Sequence, residues 1–528
     1  MKRILVTTSA ILSFAILGFA NPGDLDLTFN GTGKAATNFG SGTAIARDVA
    51  VQPDGKIVIP GYYQETGVTA IAVTRYDSNG SLDTSFDGDG RVTTAITNNS
   101  LFVFAVAVQN DGKIVVAGTS SQSAYFVARY NVDGSPDLDF DVDGIAFTPF
   151  ISSTTGSGVK AALAIQTDGK IVVAGSGFFS GSGYDFCVAR FNPNGSLDNS
   201  FDSDGVVNTS ISPNWDYANA VAIQTDGKIV VAGQSRNDTD GWDELSIVRY
   251  NTDGSLDTSF DGDGILTTAI GTVGARNGSD AANSVAFQSD NQIVVAGIFG
   301  QNTNFAIVRY NANGSLDTTF DLDGKVTTTL GNNSNDQANS LAIQADGKII
   351  AAGSSTSVTG NVDFAVVRYN SDGSLDDSFA NGNPSNVYGN GGKVLVDFSG
   401  ANDVAYGAKI DSSGRLIATG STGSMFGTVR LQGLAPTAAS VSIAGRVRTS
   451  DGRGLSNAIV YLTNTAGITR TTRTSSFGYY RFEEIESGQS VVLGVSSKRY
   501  QFEPRVLSIS EELTDVDFVP IGGDSILK

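Results

Sequence analysis

The chain has no histidine, a single cysteine (Cys187), two methionines and two tryptophans, Trp215 and Trp242, in 528 residues. Without histidine, Ser-His-Asp and Cys-His catalysis, His-ligated zinc and His-ligated haem are excluded; carboxylates, Lys, Tyr and Ser are the conventional chemistry that remains. One cysteine cannot form an intramolecular disulfide, so stability has to come from packing or from bound ions. Proline is sparse (11 residues), and no long stretch carries the 3.6-residue apolar period of an amphipathic helix. Positive charge is also short: 34 Lys and Arg stand against 54 Asp and Glu, a net charge of −20. Such a surface repels phosphate backbones and anionic lipid, which argues against nucleic acid as a partner.

What is plentiful is glycine, 63 residues, set in Asn/Asp/Gly clusters between short bursts of Val, Ile, Ala, Thr and Tyr. That is the composition of an all-β protein rich in turns. Residues 1–20 carry Lys2 and Arg3, an apolar run from Ile11 to Leu17, and then the small residues Gly18 and Ala20. This reads as a secretory signal peptide, because a membrane span needs about 20 apolar residues and the run is shorter. Its removal takes the formal charge from −20 to −22. The expected mature chain is secreted or held at the cell surface, with no membrane insertion.

One phrase recurs seven times, in forms such as VAVQPDGKIVIPG, VAVQNDGKIVVAG and LAIQADGKIIAAG, ending at Gly61, Gly118, Gly175, Gly233, Gly297, Gly353 and Gly420. Alternating apolar residues, an Asp-Gly turn and an Ile-Val-Val run are the signal of a tight β-hairpin. A second phrase follows each time, such as AVTRYDSNG or AIVRYNANG, with its Arg at 75, 129, 190, 249, 309, 368 and 430. Next come GSLDTSFDGDG and a Val-Thr-Thr stretch. Four antiparallel strands repeated at this period are the pattern of a propeller blade. The seventh unit stops at VRLQG, and the piece it lacks stands at the other end of the mature chain, in GDLDLTFNGTGKAATNF. The expected fold is therefore all-β, a seven-bladed β-propeller over 21–433 closed by the N-terminal strand, which removes an exposed sheet edge.

The phrases VAVQNDGKIVVAG, FAVVRYN and GSLDTSFDGDG resemble the delta-60 repeat β-propeller family, over 21–433. The resemblance implies a propeller and no agreed activity. LAPTAAS (434–440) reads as a linker. Residues 441–520 resemble a carboxypeptidase regulatory-like domain, a small transthyretin- or Ig-like β-sandwich, carried by Gly445, Val447, Gly452, Ala458, Val460, Gly478, Tyr480, Phe482 and Gly488. Despite its name, such a domain is accessory and has no peptidase site. A short tail, 521–528, follows.

Around a four-stranded blade, the constant DGK hairpin and the GSLD connector share one face, and the loops of variable length share the other, where binding is expected. Both tryptophans fall in the fourth blade's variable loops beside acids, in SPNWDYANA and NDTDGWDELS. Flat aromatic faces next to carboxylates suit a sugar ring, so Trp215, Asp216, Tyr217, Asp240, Trp242, Asp243 and Glu244 are the candidate ligand site; the competing reading is that these tryptophans cap the blade edge. A glycosidase would need two such carboxyls about 5 to 10 Å apart.

The aspartate-rich connector has two readings. Asp137, Asp139, Asp141 and Asp143 place oxygens at alternate positions, as a calcium loop does. Against calcium, Val142 stands at the glycine position of such a loop, and a Phe interrupts the pattern in five copies (Phe86, Phe140, Phe201, Phe260, Phe320). The first Asp is present in all seven copies (26, 83, 137, 198, 257, 317, 376), always with the repeat Arg, which points to a structural pair or a helical-turn cap. No cofactor is expected beyond such calcium. The expected function is a non-catalytic binding scaffold for a protein or glycan ligand. The alternatives are a carbohydrate-active enzyme using loop carboxylates and a calcium-stabilised structural surface protein.

Overall fold

The structure, a computed structural model, describes residues 21–521 apart from 97–98, 123, 152–159, 180–182, 238, 240, 271–277, 301–303, 331–334, 357–359, 381–390, 399, 434–440, 465–468, 486–489 and 510–512. The expected signal peptide (1–20), the linker, Asp240 and residues 522–528 lie outside the described residues.

Seven antiparallel sheets follow one another along the chain in a propeller-like arrangement. The fourth is typical: Asp216–Ile223, Ile229–Arg236, Asp243–Tyr250 and Ile265–Thr268 pair in sequence order. The seventh sheet has three strands of its own, Asp403–Ile410, Leu416–Thr422 and Met425–Leu431, and takes its fourth from the N-terminal segment Lys34–Thr37, with Ala35 opposite Thr428. Apolar clusters fill the space between neighbouring sheets. One of them joins Phe29, Ile417 and Phe426 to Ala44, Ile57 and Tyr76, and so packs the seventh sheet on the first.

The invariant Arg and Asp meet in every unit. Arg75 Nε donates to Asp83 at 2.6 Å, Arg249 to Asp257 at 2.6 Å and Arg309 to Asp317 at 2.7 Å. In the composite seventh unit Arg430 reaches Asp26, from the opposite end of the chain, at 2.7 Å. The connector Phe lies under each guanidinium, 4.6 Å away for Arg75 over Phe86, and every guanidinium but that of Arg368 also donates to a carbonyl in the turn of the next unit, as Arg249 does to Ala312 at 2.5 Å. A second contact crosses the same boundary: Asp87 N donates to Asp133 O, Asp261 N to Asn313 O, Asn30 N to Asn79 O and Ala380 N to Pro22 O. The repeated motif is thus an inter-unit clamp as well as an intra-unit turn.

In five of the sheets the repeat glycine that ends the hairpin phrase is fixed by a bulge. In the fourth sheet the register shifts between Ala218 and Ala220, leaving Asn219 without an opposite residue. The same shift leaves out Phe104, Asn283, Asn339 and Tyr406 in sheets two, five, six and seven. The bulge brings the first-strand carbonyl over the glycine, so that a Cβ at Gly233 would sit 1.9 Å from Tyr217 O and one at Gly353 1.7 Å from Gln337 O. Only glycine leaves room for that approach.

The C-terminal part is a small β-sandwich of a two-stranded sheet (Val441–Arg446 with Tyr479–Ile485) and a four-stranded one, with Val460, Leu462, Phe482, Leu493 and Phe518 in its core.

Candidate functional site

The first strands of all seven sheets line a central cavity of about 530 Å³, and the bulge residues are aimed into it. In sheets four to six this inner wall is a structural belt. Asn219, Asn283 and Asn339 each donate from Nδ2 to a carbonyl of the next sheet (Ala282, Ala338 and Ala405, all at 2.9 Å). Ser284 and Ser340 accept from Leu341 N and Ala408 N of the next sheet. Asp48 does the same in the first sheet, accepting from Val106 N at 3.0 Å.

Elsewhere the belt is broken by residues of another kind. Arg47, Phe104 and Tyr406 take the bulge column, and Lys160 stands beside it in the third sheet. The Arg47 guanidinium lies 4.3 Å from the Tyr406 ring centroid and 5.3 Å from those of Tyr62 and Phe104, and its Nη2 donates to the Tyr62 hydroxyl at 3.0 Å. Lys160 Nζ donates to Asn283 Oδ1 across the cavity at 2.7 Å. Burial, and then the charge of Arg47, lower the Lys160 ammonium to about 8. Burial raises the Asp48 carboxyl, while Lys409 and the backbone donors of Val106 and Val49 act the other way.

The aromatic and acidic residues singled out in the fourth unit separate into different roles. Tyr217 lines the cavity and stacks on Tyr184 at 5.2 Å, with Phe178 next in line at 5.4 Å. Trp215 is 53% exposed, and a Cβ placed on Gly183 would come within 2.9 Å of its Cδ1. Asp216 is wholly buried and accepts from Ile211 N, Ser212 N and Ser212 Oγ, which closes its own loop. Asp243 pairs with Arg236 at 3.3 Å and Glu244 accepts from Asn237 Nδ2 at 2.7 Å, both at the start of the strand Asp243–Tyr250. The half-buried Trp242 offers its carbonyl to Asn237 N.

Of the aspartates weighed for calcium, Asp137 accepts Arg129 Nε at 2.5 Å, Lys113 Nζ at 2.8 Å and Asp139 N at 3.2 Å, so a metal would have to displace two cations. Asp143 accepts Ile145 N at 3.0 Å, a turn contact repeated by Asp89, Asp204, Asp263 and Asp323. Asp141 is held at a positive φ with its N–H on Asn194 O. Among the described residues, the carboxylates that converge within 4.8 Å of one another are instead Asp363, Asp397 and Asp403.

Arg47, Asp48, Phe104, Lys160, Tyr406 and Lys409 were not singled out from the sequence. A signal for them exists: aligning the segments just before each hairpin phrase puts Arg47, Phe104, Asn219, Asn283, Asn339 and Tyr406 in one column. The bulge that aims that column inward has no sequence signature of its own.

Tandem four-stranded sheets around a cavity lined by their first strands define a repeat protein of the β-propeller type. Six segments, 52–86, 109–140, 166–201, 224–260, 288–320 and 344–379, match the family model described as a domain of unknown function (DUF5122) beta-propeller, and 442–518 match the carboxypeptidase regulatory-like domain. The chain thus joins a β-propeller-like repeat domain to a C-terminal carboxypeptidase regulatory-like domain. Each repeat match starts at or next to the hairpin glutamine and ends at the clamp phenylalanine, so the cavity-lining bulge residues fall outside it. No curated protein matches the sequence. Similar solved structures include a catalytically inactive virginiamycin B lyase from Staphylococcus aureus with quinupristin (10% identity, TM-score 0.40, 76% of this chain and 99% of that one). Semaphorin 2a of Drosophila (10%, 0.44, 96% and 100%) and PorZ, a surface component of the type-IX secretion system of Porphyromonas gingivalis (13%, 0.41, 93% and 60%), are others.

Proposed function

We propose that this chain is an exported, non-catalytic binding protein: a closed seven-bladed propeller that holds its ligand in the central cavity, with the C-terminal sandwich as a spacer or attachment module. Closure is supported by the N-terminal strand on the seventh sheet and by the clamp contacts that run on through Ala380 to Pro22 and Asn30 to Asn79. Export is supported by the charged, apolar and small-residue succession of 1–20. Among the described residues no helix is long and apolar enough to cross a membrane.

The observation that carries the binding reading is the break in the inner belt. Three sheets use Asn at the bulge to join neighbours, whereas Arg47, Phe104 and Tyr406 in the same column form an aromatic-flanked cation cluster that the repeat does not require. Tyr217, Tyr184 and Phe178 continue an aromatic surface from the cavity toward the variable loops. This reading moves the ligand from the tryptophan loops to the axis. A glycan and small-molecule binding screen tests it with two variants. Phe104→Ala with Tyr406→Ala should abolish binding of any hit, while Trp215→Ala should leave it intact; the reverse pattern would return the site to the loops.

A further inference from the structure

The cavity places three cationic side chains, Arg47, Lys160 and Lys409, against one acid, Asp48, in a protein whose net charge is −20. Asp48 is already committed. Its Oδ2 accepts Val106 N and its Oδ1 accepts Val49 N at 2.8 Å, and Lys409 is the cation that acts on it. Arg47 and Lys160 are left over, and among the described residues neither forms an ion pair with a carboxylate. Each charge works against the other, as the depressed Lys160 ammonium records.

Arg47 is also incompletely satisfied. Its ring contacts hold the guanidinium plane and Tyr62 takes Nη2, yet among the described residues the buried Nε has no hydrogen-bond partner. A buried donor without an acceptor is costly, and two like charges in a low-dielectric cavity are costlier still. One group removes both costs: an oxyanion, whose two oxygens accept from a guanidinium edge and from an ammonium together.

On the reading that the cavity is the binding site, we propose that it takes a small molecule through an oxyanion, a carboxylate or a phosphate, held between Arg47 and Lys160 with the ligand body against the aromatic rings of Phe104, Tyr217 and Tyr406.

Lys160 supplies its own reporter, because an ammonium lowered by burial is acylated near neutral pH ahead of ordinary surface lysines. The full chain is treated with an amine-acylating reagent, and modification at Lys160 is compared by mass spectrometry with that at Lys170, whose ammonium pairs with Asp198 at 2.9 Å. Inorganic phosphate, acetate, glucuronate and neutral glucose are added in separate arms at millimolar concentration. The expected result is protection of Lys160 alone by phosphate or by the two carboxylates, the protecting arm identifying the oxyanion, with protection weakened about tenfold in Arg47→Gln. Protection by glucose equal to that by glucuronate would overturn the oxyanion while keeping the cavity as the site. No protection by any probe of a reactive Lys160 would overturn the oxyanion inference, and the cavity reading would then stand or fall on the aromatic variants alone. Because Arg47→Gln alters a packed cation, its melting temperature is measured alongside; a variant that melts with the wild type and still protects Lys160 fully would also overturn the inference.

Discussion

At the scale of single residues, buried charge is used in two opposite ways. In the clamps it is compensated. Burial raises the Asp257 carboxyl, but hydrogen bonds from Lys228 and Ser259 and the charge of Arg249 more than reverse this and hold it well below the ordinary carboxylate range. Asp83 and Asp198 behave alike, and Asp26, Asp137, Asp317 and Asp376 are lowered too. A depressed acid contributes stability that is complete above the unfolded value of about 3.9 and is lost as pH falls through the folded one. Stability should therefore be flat in this respect above about pH 5 and decline cooperatively below about pH 4, which urea unfolding at stepped pH measures. Asp257→Ala leaves Arg249 buried and unpaired and should cost about 3–5 kcal/mol, whereas Lys228→Met, at a partly exposed position, should cost under about 1 kcal/mol. In the cavity the charge is uncompensated and the sign reverses. Lys160 is lowered to about 8, so between that value and the unfolded value of about 10.4 the unfolded chain binds the extra proton, and stability rises with pH across that window. Lys160→Met should accordingly raise the melting temperature of the ligand-free protein at pH 7, by on the order of 1–3 kcal/mol of stability, while removing any ligand that needs the ammonium. A fall in melting temperature would show that the Asn283 contact outweighs the burial of charge.

At the scale of elements, the hairpin and the clamp were legible in the sequence because each is a local rule repeated seven times. Asp-Gly fixes the turn, alternation fixes the strand faces, and an Arg eight residues before an Asp marks a pair that meets within one unit. The composite seventh sheet was legible for a different reason, since the missing phrase at one end and the orphan copy at the other admit one pairing. The seam it makes is not equivalent to the other boundaries. Arg368 is fully buried, and among the described residues its Nη1 has no hydrogen-bond partner, where the corresponding atom of Arg309 donates to Ser371 O. The sheet is therefore expected to open first where Lys34–Thr37 leaves Met425–Leu431. Ala35 and Thr428 are directly opposite and both buried, and the native Cys187 is buried with its thiol pushed up to about 12, mainly by desolvation, so it does not compete for oxidation. An Ala35→Cys, Thr428→Cys pair should oxidise spontaneously and, by closing a loop that spans most of the chain, stabilise the oxidised form by on the order of 4–5 kcal/mol over the reduced one. Equal melting temperatures for the two forms would mean that unfolding starts elsewhere.

At the scale of the whole molecule, what the sequence hid was the axis. Trp215 and Trp242 stand out as rare residues, while Arg47, Phe104, Lys160 and Tyr406 are ordinary ones in four different repeats, and only the bulges and the packing of the sheets bring them to one cavity. The same geometry sets two fields of opposite sign: a protein of net charge −20 repels an anion from a distance, and a cationic cavity attracts it once inside. Salt reaches the two unequally. Exposed charges are screened beyond a Debye length of about 8 Å at physiological ionic strength, whereas a partly buried pair is screened much less. For an oxyanion bound at Arg47 and Lys160, raising the ionic strength from about 10 mM to about 150 mM should therefore speed association severalfold, by removing the long-range repulsion, and leave dissociation nearly unchanged. An anion caught by exposed lysines would do the opposite, since screening removes the attraction that brings it in. Rapid-mixing or line-shape measurements of both rates with glucuronate or phosphate distinguish the cases, and an association rate that falls with salt would place the anion on the outer surface rather than on the axis.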